Sequence, residues 1–164
     1  MATRNIVTNE DPALRKVCRE VEVFTPRLGV LLDDMKETML ESNGVGLAAP
    51  QVGVLRRAIV VFRGEDDIIE MINPMITMRE GEQTGMEGCL SVPGKYGIVT
   101  RPMKIRARYQ DRKGNFCEVE AEEFLARIIC HETDHLNGIL YTDNVVRMLT
   151  DEELAELEQK KGES

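Results

Sequence analysis

The feature that most constrains the fold is the middle of the chain, where short strand-like runs alternate with turn residues. Leu55–Phe62 and Ile68–Ile72 are rich in branched aliphatic residues and flank the polar turn 63–67, so they predict an antiparallel hairpin. Asn73-Pro74 is expected to end that hairpin. The same pattern predicts two further hairpins: 75–79 with 83–87 around Glu80-Gly81, and 104–110 with 115–120.

Helical patterns lie on both sides of these strands. Asp11-Pro12 has the cap and first-turn signature of a helix reaching about Val21, and Thr25-Pro26 begins a second that reaches about Ser42. A third is predicted over about 122–137 with Gly138 as its C-terminal cap, and a short last one begins at Thr150 in capping-box style. Helices flanking antiparallel strands predict an α+β fold, with residues 1–164 forming a single domain.

The charge balance excludes some classes of function. A net charge of −8 argues against a broad nucleic-acid footprint, which needs a clustered basic face. Lys104, Arg106 and Arg108 alternate in a predicted strand and are interpreted as one solvated face. We therefore expect no sequence-specific nucleic-acid partner.

The sequence also predicts where the protein works. Residues 1–11 contain no apolar core of a signal peptide, and the apolar run Ala58–Phe62 is far too short to cross a bilayer. We expect a cytoplasmic protein with no membrane partner. A reducing compartment would keep the four cysteines as thiols: Cys18, Cys89, Cys117 and Cys130.

The motif with the clearest chemistry is His131-Glu132-Thr133-Asp134-His135 on a predicted helix. Side chains four residues apart lie on the same face of a helix, so both imidazoles can reach one metal ion. Glu132 lies beside the first of them, where it can act as the base toward a water activated by that metal. The chain contains two histidines in all, and both are in this motif.

Two histidines leave a catalytic metal site incomplete, because such sites usually have three protein ligands and one open position. Cys130 is a poor third ligand, because it is adjacent to His131 and points about 100° away around the helix. Cys18 and Cys117 are interpreted as small core residues. Spacing alone leaves two kinds of candidate: Cys89, or a downstream carboxylate such as Glu153 or Glu156.

A glycine-rich segment, Gly44-Val45-Gly46-Leu47-Ala48-Ala49, superficially fits a dinucleotide-binding fingerprint. It follows a helix instead of a strand, and Pro50 disfavours a helix after it, so that function is excluded. Taken alone, the segment is most simply a connector. The alternative is an extended cleft wall along which a peptide pairs, with Gln51 offering an amide donor.

Three segments together are more specific than any one of them. They are Gly44-Val45-Gly46-Leu47-Ala48-Ala49-Pro50-Gln51, Glu87-Gly88-Cys89-Leu90-Ser91 and the His131–His135 motif. In this order and spacing they resemble the three signature motifs of the bacterial-type peptide deformylases. The resemblance implies a hydrolase of N-terminal processing that removes the formyl group from N-formylmethionyl nascent peptides. It also implies antiparallel strands around a central helix that carries the histidine motif.

The resemblance implies a role for each matching residue. Cys89, His131 and His135 would hold one divalent metal ion, and Glu132 would be the catalytic acid and base. The Gln51 side chain and the Leu90 backbone N–H would bind the developing oxyanion. The peptide track and the methionine pocket would be lined by Val45, Gly46, Gly88 and Ile128. The family normally uses Fe(II), with Zn, Ni or Co possible, whereas Cys-His-His alone suggests zinc.

The chain departs from the family pattern at two places. Cys130 stands where the family usually has Gln, which removes an amide beside the first histidine and adds a thiol that can oxidise. The C-terminal stretch 150–164 has six acidic residues against two lysines, which argues against docking on ribosomal RNA and leaves ribosome proximity open. Two other functions compete with deformylation: a small zinc peptidase with a downstream Glu as third ligand, and a non-catalytic binder of nascent N-termini.

Overall fold

The computed structural model describes residues 2–8, 10–64 and 66–163, with side chains up to residue 159. The α-helices of this part are Pro26–Glu41 (α1), Glu123–His135 (α2) and Asp151–Glu163 (α3), and short 3-10 turns span Pro12–Arg15, Ala49–Val52 and Tyr141–Asp143. The strands are Gly46–Ala48 (β1), Ala58–Gly64 (β2), Asp67–Glu80 (β3), Gln83–Cys89 (β4), Val92–Arg101 (β5), Lys104–Gln110 (β6), Phe116–Glu122 (β7) and Val145–Met148 (β8).

The strands form two antiparallel sheets. One has the order β1-β2-β3-β6-β7 and the other has the order β4-β5-β8. The larger sheet is covered on both faces, because alternate residues of β2 point to different helices. Ile59 and Val61 pack in the cluster that contains Ile129 of α2, whereas Val60 packs in the cluster that contains Leu32 of α1.

Helix α2 lies at the centre, in contact with strands of both sheets. Its residues from Ala126 to Cys130 are buried, as are His131, Glu132 and His135 at its C-terminal end. The predicted α+β fold, with antiparallel strands around the helix of the histidine motif, is confirmed. In the described part of the chain, no helix is long and apolar enough to span a membrane.

Several predicted elements are present. The first and third hairpins are confirmed as β2 with β3 and β6 with β7, and the helix from Thr25 is confirmed with the Thr25 side chain accepting from Leu28 N–H. Helix α2 ends before Gly138, which takes the left-handed φ of 74° expected of a cap. At the start of α3, the side chains of Thr150 and Glu153 each accept a hydrogen bond from the backbone N–H of the other residue, which is the predicted capping box.

The predicted helix from Asp11 to Val21 is wrong beyond its first turn. Asp11 does cap a helical turn by accepting from Ala13 N–H, but the turn ends at Arg15. After Arg15 the chain is held by backbone hydrogen bonds to other segments. Cys18 N–H donates to the carbonyl of Leu136, and Arg19 forms a parallel β-bridge with Arg56. Tertiary pairing therefore overrides the local helical pattern.

The second predicted hairpin is also wrong. Residues 75–79 pair with β6 and residues 83–87 pair with β5, so the turn at Gly81 connects two different sheets. Strand β3 does not end at Asn73-Pro74 but continues through an irregularity there, because Asn73 accepts a positive φ of 51° and its side chain bonds both Val21 and Gln110. The prediction also missed β5 and β8.

Candidate active site

Helix α2 presents both histidines of the motif to one point. The ring centroids of His131 and His135 lie 5.1 Å apart with an interplanar angle of 65°. Both side chains are buried. The i, i+4 spacing thus places the two imidazoles together, as the sequence predicted.

Cys89 reaches the same point from the end of β4. The strand register shifts between Glu87 and Cys89, and such an irregularity re-aims a side chain. Cys89 Sγ lies 3.4 Å from His135 Nε2, and one donor atom from each of Cys89, His131 and His135 falls within 4.8 Å of the others. Glu153 instead pairs with Arg147 at the start of α3, so this downstream carboxylate is already engaged elsewhere.

Gln51 approaches from the turn that follows β1. Its Oε1 accepts from Ala48 N–H at 2.9 Å, and its Nε2 donates to Ser91 Oγ at 3.1 Å and lies 3.5 Å from Cys89 Sγ. Because Ala48 engages the oxygen, the amide nitrogen is the atom that faces the cysteine. The glycine-rich segment is therefore a wall of the site and not only a connector.

Glu132 lies on the inner side of the site, with 5% of its surface exposed. Its Oε1 has no hydrogen-bond partner among the described residues and lies 3.9 Å from His135 Nε2. Burial raises the pKa of Glu132 to about 7, although His131 opposes the shift. A buried carboxylate with a free oxygen beside the donor set can take and give a proton there.

The sequence assigned no role to Glu87, although this residue is central to the hydrogen bonds around the candidate donors. Its carboxylate accepts from His131 Nδ1 at 2.8 Å, from Arg101 Nε and Nη2 at 2.9 and 2.8 Å, and from Arg127 Nη1 at 2.6 Å. Burial alone would raise the pKa of Glu87, but Arg101 and His131 outweigh it and hold the pKa at about 2. Glu87 therefore fixes the ring of His131 and leaves Nε2 to face the site. An acid inside a strand beside a candidate ligand was the signal available in the sequence.

The electrostatics of the donor set favour a cation. Burial disfavours a charged His131, yet Glu132, Cys89 and Glu87 together raise its pKa to about 10. Burial and the neighbouring His131 lower the pKa of His135. Thiol and imidazole donors, negative neighbours and the unpartnered Glu132 oxygen fit a divalent metal ion with one position left for another ligand.

A cavity of about 260 Å³ opens onto this centre. The residues that the sequence placed at the peptide track and the methionine pocket all line it: Val45, Gly46, Gly88 and Ile128. Gln51 and Leu90 line it as well. The sequence analysis missed Met86, Tyr96, Phe124 and Arg127 in the same lining. A larger surface groove of about 1020 Å³ lies beside α1 and contains none of the predicted site residues.

Cys130 does not face the donor set. It packs in the hydrophobic cluster between α2 and the larger sheet, and burial raises the pKa of its thiol to about 11. Little thiolate forms under such conditions, so this environment opposes the oxidation sensitivity that the sequence suggested. The orientation of His131 rests on Glu87 instead of on a side chain at position 130.

An α+β domain in which Cys, His and His converge beside a buried Glu defines a small metallohydrolase. A family model described as Polypeptide deformylase matches residues 3–150. The peptide deformylase of Agathobacter rectalis is 58% identical over 151 residues, which cover 92% of this chain and 95% of that protein, and that of Caldicellulosiruptor bescii is 55% identical over 154 residues, covering 94% and 92%. A crystal structure of a peptide deformylase from Legionella pneumophila has a TM-score of 0.85 and 37% identity over 99% of each chain. The chain belongs to the polypeptide deformylase family, and the predicted family and enzyme class are confirmed.

Proposed function

We propose that this protein hydrolyses the formyl group from the N-terminal formylmethionine of newly made polypeptides and releases formate. The observation that carries the proposal is the convergence of Cys89, His131 and His135 within 4.8 Å, beside Glu132 with its free oxygen. A non-catalytic binder has no need of a buried proton-transfer group at this position. A peptidase with a downstream ligand would leave Cys89 and Gln51 without a role.

We propose that Cys89, His131 and His135 hold one divalent metal ion. The family resemblance favours Fe(II), with Zn, Ni or Co as other occupants. When bound, such an ion acts as a Lewis acid that activates water for attack near neutral pH. The bond from Glu87 to His131 Nδ1 orients one ligand and raises its basicity.

Glu132 is the proposed acid and base. It accepts a proton from the attacking water, whose oxygen forms the new bond to the formyl carbon. It then gives that proton to the amide nitrogen, so the C–N bond breaks and a neutral amine leaves together with formic acid, which loses its own proton to become formate. Its free Oε1 is in place for both transfers.

Two donors are proposed for the oxyanion of the tetrahedral intermediate: Gln51 Nε2 and the backbone N–H of Leu90. The bond from Ala48 N–H to Gln51 Oε1 holds the amide in the orientation that it needs in the transition state. A preorganised donor of this kind typically contributes about 3 to 4 kcal/mol to transition-state stabilisation.

The substrate is proposed to lie along the outer edge of β1. Phe62 N–H donates to the carbonyl of Val45, so the alternation of an antiparallel ladder turns the N–H and C=O of Gly46 away from β2 and toward the cavity. An extended peptide can pair with them. The methionine side chain then enters the apolar space beside Val45 and Ile128. Gly88 also lines this cavity, and its missing side chain leaves room for the ring of Tyr96.

Formylated and acetylated peptides test this function most directly. The enzyme, loaded with Fe(II) or Ni without oxygen, should release formate from formyl-Met-Ala-Ser and leave acetyl-Met-Ala-Ser intact, because the formyl carbon carries only hydrogen and is less hindered and more electrophilic than an acetyl carbon. Glu132→Gln should lose about 10² to 10⁴-fold in kcat, and Glu123→Gln, at the exposed start of α2, should match the parent enzyme. Internal cleavage with the formyl group retained would support the peptidase, and binding without turnover would support the binder.

We further propose that residues 1–164 act as one catalytic domain, since the site draws on both sheets and on α2. Its partners are nascent formylmethionyl peptides, so we place it in the cytoplasm, where they are made. The first turn of α3 carries Asp151, Glu152 and Glu153, and this acidity opposes docking of that helix on ribosomal RNA. Proximity to the ribosome would therefore have to use another surface.

A further inference from the structure

The surface groove beside α1, here called the α1 groove, has a volume of about 1020 Å³ and shares no lining residue with the active-site cavity. Its apolar lining comes from α1 and from the segments that precede and follow this helix: Val21, Val23, Leu28, Val30, Leu31 and Val54. Val23 is 71% exposed and Val30 is 54% exposed, so the groove leaves apolar surface in contact with water. Surface of this kind is typical of a place where a partner docks.

The charged lining of the α1 groove is mainly cationic, although the chain has a net charge of −8. It holds four arginines and two glutamates: Arg4, Arg19, Arg27, Arg56, Glu20 and Glu22. Arg4 is paired with Asp34 at 3.0 Å. The side chains of Arg19, Arg27 and Arg56 are exposed and have no hydrogen-bond or ion-pair partner among residues 2–8, 10–64 and 66–159.

The positions of two of these arginines add a second observation. Arg19 and Arg56 form a parallel β-bridge, so their backbones lie side by side. Two like charges on neighbouring strands are unfavourable unless a negative group lies near them. The α1 groove therefore favours a partner that is both apolar and acidic.

Helix α3 has these two properties. Its 13 residues include six acids and two lysines, which gives a net charge of −4. Leu154 and Leu157 are three positions apart and lie on one face of the helix, and Asp151 and Glu158 flank that face. Both leucines are half-buried, yet they pack against none of the three core clusters of the described residues. The chain thus leaves an apolar face of α3 incompletely covered.

We propose that two copies of this chain associate by placing α3 of each copy in the α1 groove of the other. Two turns of helix are about 10 Å across and about 10 Å long and so occupy about 800 Å³, which the α1 groove can accommodate. Leu154 and Leu157 then cover the apolar lining, and the acids beside them pair with the free arginines. Because the exchange is reciprocal, it closes a dimer with two-fold symmetry. This inference goes beyond the proposed function and does not depend on it.

Sedimentation velocity of the full chain tests the association at increasing concentration, up to about 0.5 mM, because one short helix in a groove gives a weak contact. We expect a species of twice the monomer mass of 18.5 kDa, whose share rises with concentration. That share should fall when the salt concentration is raised from about 0.05 M to about 0.5 M, because salt screens exposed charge pairs. A single species of monomer mass under all these conditions would overturn the proposal.

Charge reversal identifies the two surfaces. Arg27→Glu combined with Arg56→Glu reverses the groove, and Asp151→Lys combined with Glu158→Lys reverses the edge of the helix face. Each double variant should associate about tenfold more weakly, because exposed ion pairs are lost and replaced by repulsion. A mixture of the two variants should regain the association of the parent, because each reversed surface then meets one of opposite charge.

The matched control is Glu152→Lys combined with Glu156→Lys. It makes the same change of charge on the opposite face of α3 and should not weaken the association. All three double variants should keep the far-UV circular dichroism and the formate release of the parent, because none of the changes lies in the active-site cavity. Weakening by the control, or no recovery in the mixture, would overturn the proposal and leave deformylation standing. A parent that dimerises but releases no formate would overturn the proposed function alone.

Discussion

Replacing Gly46 with Ala perturbs the active site by adding one methyl group, without changing a charge or removing a hydrogen bond. A Cβ at this position would lie 2.6 Å from Glu132 Oε2, 2.8 Å from Glu132 Cγ and 2.9 Å from Ile128 Cγ2. Ordinary contact begins near 3.4 Å, so the carboxylate would have to move by about 0.8 Å. Overpacking of this size typically costs about 1 to 3 kcal/mol of stability. A displacement near 1 Å of a catalytic group typically costs about a hundredfold in rate.

The assay compares two quantities in the same variant. Denaturant unfolding should show a modest loss of stability for Gly46→Ala, and formate release should fall about a hundredfold in kcat while the metal content stays unchanged. Gly64→Ala is the matched control. Gly64 lies, like Gly46, in a strand of the larger sheet, but a Cβ there would meet no atom within 4 Å. A Gly46→Ala enzyme with near-normal kcat would refute the position assigned to Glu132.

Three further predictions concern the centre itself. Cys89→Ala should lose tight metal binding and nearly all activity, measured as metal content after gel filtration, whereas Cys117→Ala on β7 should keep both. Glu132→Gln should retain the metal and lose about 10² to 10⁴-fold in kcat, and loss of the metal from the folded variant would mean that Glu132 is a ligand. Glu87→Gln should lower the free energy of unfolding by about 3 to 5 kcal/mol in a denaturant titration, and an unchanged stability would contradict the importance of its ion pairs.

The fold could be predicted from sequence where local pattern and tertiary structure agree. The hairpin of β6 and β7 and the helix from Thr25 have both a periodic apolar pattern and capping or turn residues of their own. The prediction failed where long-range pairing decides, as in the extended segment after Arg15. It also missed the pairing of β4 with β5, because Pro93, Gly94 and Gly97 interrupt the strand-like pattern of β5. Within β5, a Cβ at Gly97 would lie 2.8 Å from Val145 Cγ1 and 3.1 Å from the Tyr141 ring, so a glycine fits this crowded position best.

The candidate site was predictable to the extent that its donors lie in recognisable motifs. His131 and His135 follow from helical spacing, and Cys89 was distinguished from downstream acids only by a resemblance to a family. No local rule could predict that Arg101 and Arg127 support the site, because their role consists of contacts with Glu87. Arg101 lies 14 positions from Glu87 in the sequence, and Arg127 lies 40 positions from it.

These long-range contacts explain how the three candidate metal donors are held together. Cys89 belongs to the smaller sheet and the histidines to α2, so the set exists only when that sheet is docked on the helix. Glu87 bonds Arg101 within the sheet and Arg127 and His131 on the helix, and all four side chains are buried. A buried carboxylate without its cations is strongly unfavourable, so partial docking is disfavoured and the arrangement forms as a unit. The network that joins sheet to helix therefore also fixes the orientation of His131, the proposed metal ligand, so the integrity of the fold and the geometry of the candidate site depend on the same contacts.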